Sequence, residues 1–187
     1  NYGSFTQDTN QTLPIIVTNT VPSEGNYYWF QLGQDIDGEN DYDFSGRGVS
    51  LSSDGTILAI GAIGHDENSG HVRVYQYSNS SWNQIGQDID GNDGDKSGHS
   101  VSLSSDGYTV AIGGPSGDSG HVRVCQYDNV NYIWTQLGSD IDGEAYTGHG
   151  SSVSLSSDGT IVAIGAPRNS EGYEYVSGYV RVYKYGI

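Results

Sequence analysis

Three stretches of the chain repeat one pattern of polar and apolar positions. Val49–Ala62, Val101–Pro115 and Val153–Pro167 each begin with a short alternation, pass through Ser-Asp-Gly and end in an apolar run. The alternation predicts a half-buried strand, here named b. The apolar run, Ile57 to Ile60 in the first copy, predicts a strand c covered on both faces. Between them Asp54-Gly55, Asp106-Gly107 and Asp158-Gly159 predict tight turns. Gly accepts the positive φ that a hairpin needs, and Asp bonds to nearby backbone. Downstream, His71 to Tyr77, echoed by His121 to Tyr127 and Tyr179 to Tyr185, alternates again and predicts strand d. Val72 and Val74 then share one face, and Arg73, Tyr75 and Tyr77 the other. Upstream, Trp29 to Asp37 predicts strand a, echoed from Trp82 and from Trp134.

The tryptophans recur at roughly 52 residues, a period that marks a repeat architecture. The expected fold is all-β. Three four-stranded units, over 29–81, 82–133 and 134–187, form a propeller-like or three-fold, prism-like arrangement; a β-trefoil is also three-fold. Residues 1–28 precede them as an extension. Within it Leu13, Ile15, Ile16, Val17 and Val21 predict a strand at about 13–21, and Pro14 favours a strand start or an edge position. The c–d connection varies between copies, from Ile63 to Ser69, Ser116 to Ser119 and Arg168 to Ser177.

These residues resemble FG-GAP repeats, which build the β-propeller of integrin α subunits and related secreted proteins. The matching words are Ser45-Gly46 with Gly61-Ala62-Ile63, Ser97-Gly98 with Gly113-Gly114-Pro115, and Gly150 with Gly165-Ala166-Pro167. The resemblance covers about residues 29–185. It implies a propeller, yet propellers typically need at least about four blades and this chain carries three units. It also implies a calcium loop between b and c. Here that place holds only Ser-Ser-Asp-Gly, too short to wrap an ion that wants about 6–8 oxygens, so the family's calcium residues do not transfer.

Composition narrows the setting. The 187 residues include 28 Gly, 15 Tyr and only 4 Pro, a profile of short strands and tight turns. The formal charge of −16 repels nucleic acid and anionic membranes and favours solubility. No apolar run is long enough for membrane insertion. The single cysteine, Cys125, stands where other copies carry Tyr75 and Tyr183, so a buried, space-filling role is expected. Met is absent, which predicts a processed or trimmed chain. With sequons at Asn10 and Asn79, this leans toward an extracellular glycoprotein.

Three constellations bear on chemistry. The acidic segments carry Asp35, Asp37, Asp41 and Asp43, then Asp88, Asp90 and Asp95, then Asp140 and Asp142. In Asp-Ile-Asp both carboxylates fall on one face, an arrangement that calcium favours and that equally suits solvated turns or arginine partners. Arg73, Arg123 and Arg181 recur at one place in strand d and need carboxylates, which a neighbouring unit's acids could supply. The five histidines lack zinc-site spacing and read as packing or hydrogen-bonding groups. The repeated Trp29, Trp82 and Trp134 read as packing between sheets, with sugar stacking as the alternative. No catalytic constellation stands out, so no enzymatic activity and no cofactor beyond calcium is expected.

Strand bookkeeping supplies the functional expectation. The strand at 13–21 is surplus to three units of four, and no strand a follows the last strand d. Strand addition to the next molecule would use both features and build a head-to-tail homopolymer, a fibre or surface layer. The alternative is an extracellular adhesion module that binds a glycan or a cell-surface protein through the c–d loops and acidic turns.

Overall fold

A computed structural model describes residues 28–116, 119–168 and 177–186. The expected strand at 13–21, the sequon at Asn10 and most of the loop from Arg168 to Ser177 lie outside these residues. The chain divides into Asn1–Phe30 and Gln31–Ile187. The architecture below is that of the second unit.

The second unit is all-β and built of antiparallel meanders. The first sheet runs β1 (Ser45–Leu51), β2 (Ile57–Ala62), β3 (His71–Ser78) and β4 (Ser81–Gln84), with β5 (Ile89–Asp90) also pairing with β3. The second repeats this with β6 (Ser100–Leu103), β7 (Thr109–Gly114), β8 (His121–Asp128), β9 (Ile133–Gln136) and β10 (Ile141–Asp142). The third holds three strands, β11 (Ser152–Leu155), β12 (Ile161–Ala166) and β13 (Tyr179–Lys184).

The expected strands b, c and d form in every sheet, in that order. Strand a is the correction. It belongs to the sheet before it: Trp82 pairs with Tyr77 and Trp134 with Tyr127. A hairpin turn joins d to the following a, so local closure overrides the Trp-to-Trp period. Residues 28–37, the first expected copy of strand a, form no strand.

The b–c turns follow their chemistry. Gly55, Gly107 and Gly159 have φ of 73°, 78° and 72°. The Asp54 carboxylate accepts from the Thr56 backbone N–H at 3.0 Å and from the Ser52 hydroxyl at 2.7 Å, while Ser52 Oγ accepts from Ile57 N–H at 2.9 Å. Asp106 and Asp158 repeat this network.

Successive sheets pack face to face through two cores. Ile57, Ala59, Val72 and Val74 of the first sheet meet Val101, Leu103, Val110 and Ile112 of the second. On the other side, Ala111 and Val122 meet Val162 and Ile164 of the third. Cys125 is buried in the first core, as expected, and burial pushes its thiol up to about 11. Polar bonds set the spacing: Ser50 Oγ accepts from Leu103 N–H and Ser102 Oγ from Leu155 N–H, both at 2.9 Å. Close approach requires glycine, because a Cβ on Gly61 would collide with the Gly98 carbonyl and one on Gly113 with that of Gly150.

Candidate functional site

In the first two sheets the alternation of strand d turns its valines toward the cores and its arginines to a polar layer. Arg73 Nε and Nη2 donate to Asp88 Oδ2 at 3.0 and 2.8 Å, and Nη2 lies 2.5 Å from Glu39 Oε1. Burial raises the Asp88 carboxyl, but hydrogen bonds from Arg73 and Gln84 outweigh it and hold the group below its usual range. Arg123 reaches Asp95 at 2.9 Å, Asp140 at 3.4 Å and the Asp90 carbonyl at 2.9 Å. Arg181 pairs with Glu144, and its guanidinium carbon sits 4.4 Å from the Tyr179 ring centroid. The arginines thus meet carboxylates from two segments each in the first two sheets.

The acidic residues singled out by pattern divide accordingly. Asp88, Asp95 and Asp140 are arginine partners. Asp43 and Asp95 also close their own loops, accepting from Asn40 N–H at 3.1 Å and Asn92 N–H at 2.8 Å. Asp35 accepts from Gln31 Nε2 at 2.7 Å on the surface, and Asp37, Asp41, Asp90 and Asp142 are exposed. Ile89, between Asp88 and Asp90, is buried, as alternation requires. Asn79 is exposed at the β3–β4 hairpin tip.

Pattern reading passed over a group in the first sheet. One ligand atom each from Glu39, His65 and His71 lies within 4.8 Å of the others, and so does one each from His71, Asp88 and Asp90. His71 opens β3 and is buried; His65 comes from the c–d connection. The sequence signal was the longer connection, Ile63 to Ser69, against the shorter one from Ser116.

The second site is a pair of surfaces. Val101 and Leu103 are 9% and 7% exposed where the first and second sheets meet, whereas their first-sheet equivalents Val49 and Leu51 are 63% and 56% exposed. Val72, Val74 and Val122 are fully buried, whereas Val180 and Val182 of β13 are 70% and 66% exposed. Among the described residues, each outer sheet therefore shows one bare half of a contact that the chain makes twice within itself.

The tryptophans repeat this asymmetry. The Trp82 indole donates to the Leu32 carbonyl beside Gly33, and that of Trp134 to the Ile85 carbonyl beside Gly86, both at 2.9 Å. Trp29 belongs to the unit Asn1–Phe30. The equivalent socket at Leu137 and Gly138 leaves open space around Gly138. Leu137, Ile141, Leu155, Val162 and Tyr183 line a cavity of about 150 Å³ beside it.

No family model and no curated protein matches this chain. Solved structures similar to it include hydrazine synthase of Kuenenia stuttgartiensis, with 16% identity and a TM-score of 0.45 over 73% of this chain. A candidate 6-phosphogluconolactonase of Bacteroides uniformis shares 19% identity with a TM-score of 0.45 over 75%. TolB of Acinetobacter baumannii shares 17% identity with a TM-score of 0.42 over 76%. The chain spans 33%, 41% and 33% of those three chains, respectively.

Proposed function

We propose that this is a non-enzymatic, extracellular structural protein of FG-GAP-like repeats that assembles head to tail with copies of itself. One observation carries the reading: repeat positions buried between sheets are bare at Val49 and Leu51 on one side and at Val180 and Val182 on the other. The bare halves are mates, because the chain already joins such halves in its two cores. Such a contact between molecules is heterologous, so it propagates into a filament unless the rotation closes a ring. Burying each side chain contributes at most about 1.5–3 kcal/mol toward association, set against the entropic cost of binding.

The edge of β13 adds a second attachment. β3 and β8 each carry an outer strand, β4 or β9, whereas β13 carries none among the described residues. An N-terminal segment of the next molecule, from the predicted strand at 13–21 or from Trp29 to Leu32, would complete it by strand addition. Trp29 then fills the socket at Leu137 and Gly138 as Trp82 and Trp134 fill theirs.

Electron microscopy with light scattering tests this on the full chain, on a chain lacking residues 1–28, and on Val180→Asp/Val182→Asp. Filaments or rings from the full chain and monomers from the double variant support face-to-face assembly. The truncated chain reports whether the N-terminal strand is needed. Monodisperse monomers from the full chain at high concentration would refute the reading.

Adhesion remains the second reading because Tyr42, Phe44 and Tyr146 are exposed on the acidic loops. Exposed aromatic faces suit sugar stacking or protein anchoring. Glycan binding that Tyr42→Ala and Tyr146→Ala abolish would favour it.

A further inference from the structure

We propose that Glu39, Asp43, His65 and His71 form a binding site for a divalent transition-metal ion of the zinc type. His65 Nδ1 lies 3.4 Å from Asp43 Oδ2 and 3.9 Å from Glu39 Oε2. The His65 and His71 rings stand 4.2 Å apart between centroids. One ligand atom each from Glu39, His65 and His71 thus lies within 4.8 Å of the others, and Asp43 approaches this group through His65.

The second observation is His71 itself. It is 3% exposed, and its buried Nδ1 has no hydrogen-bond partner. Buried polar nitrogens are ordinarily satisfied, so an unpartnered one calls for a ligand.

Arg73 does not fill the same place. It holds Glu39 Oε1 and Asp88 Oδ2, and leaves Glu39 Oε2 toward His65. Carboxylate ligands are commonly oriented by such an outer hydrogen bond. Glu39, Asp43 and Asp88 together exceed the single positive charge of Arg73, so the locality still favours a cation.

The repeat supplies an internal control. His121, equivalent to His71, lies 3.5 Å from Asp95, a carboxylate that Arg123 also holds. No group of three metal-ligating side chains forms around it among the described residues. In the third sheet Tyr179 takes the place, with its hydroxyl 3.3 Å from Thr147 Oγ1. Only the first c–d connection returns a histidine over strand d. It does so through Asp66, Glu67 and Asn68 at φ of 46°, 54° and 74°, with Gly64 N–H bonded to the Asp43 carbonyl at 3.0 Å. Imidazole ligands select zinc-like ions over calcium, which prefers all-oxygen shells.

Calorimetric titration of the full chain with zinc and with calcium, and the visible spectrum after cobalt addition, test the site. One zinc per chain is expected, with ligand-field bands for cobalt and at least about tenfold weaker calcium binding. His65 is on a partly exposed connection, so His65→Ala should fold; it should lose at least about tenfold in zinc affinity together with the cobalt bands. His121→Ala should keep both. Absence of saturable zinc binding, or zinc binding unchanged in His65→Ala, overturns the proposal, and so does calcium binding as tight as zinc.

Discussion

Arg123 and Arg181 show how one repeated residue takes different energetic weight. Arg123 is buried and meets Asp95, Asp140 and the Asp90 carbonyl, so its removal takes the cationic donor from all three. Arg181 is partly exposed beside Glu144, where water can replace it. Arg123→Ala should therefore cost about 3 kcal/mol and Arg181→Ala clearly less in urea unfolding. Equal losses would show that burial does not govern these pairs. Histidines set a pH dependence. Burial, the largest cause at each, lowers the folded-state values of His71, His99 and His149. The unfolded chain then binds protons first, so stability is complete above about pH 6.5 and falls as pH drops from there toward the lowered values. At the acid end, hydrogen bonds from the Ser156 hydroxyl and then Thr160 hold Asp158 at about 2. Its contribution to stability is complete above about pH 3.9 and is lost as the pH falls from there through about 2. A Tm that rises between pH 7.5 and 5.5 would contradict the histidine assignment.

At the scale of the strand, glycine marks where sheets touch. Gly113 on β7 faces the Gly150 backbone, so Gly113→Ala should destabilise by about 1–3 kcal/mol through forced separation of the second and third sheets. Gly165 holds the same position on β12 but faces only the Ser152 side chain of its own sheet, whose hydroxyl can rotate away. Gly165→Ala should cost less than half as much in thermal unfolding. The comparison is informative because both residues sit in the same Ala-Ile-Gly word. Strand a carries the complementary lesson. Its recurrence at each tryptophan made it recognisable as a strand, yet recurrence does not say which neighbour it joins. The short d–a hairpin decided that, through Tyr77 opposite Trp82 and Tyr127 opposite Trp134.

For the molecule as a whole, the bare faces at Val49, Leu51, Val180 and Val182 couple stability to concentration. Association stabilises a folded state by mass action, so the Tm of the full chain should rise with protein concentration. The Val180→Asp/Val182→Asp variant should show a constant Tm, because the substituted residues are already exposed in the single molecule. A concentration-dependent Tm that persists in this variant would place the contact elsewhere.

Repetition in the sequence was enough to specify the strands b, c and d, their turns and the valine and arginine faces of strand d, since each follows from local periodicity and turn chemistry. The need of the arginines for carboxylates was also legible, because three identical cations in an acidic chain leave few other partners. Tertiary structure alone decided which carboxylate each arginine meets, how His65 returns over His71, and which copies of one apolar position are covered. Those outcomes depend on what packs against a residue, and identical words in the sequence acquire different neighbours once the sheets are stacked.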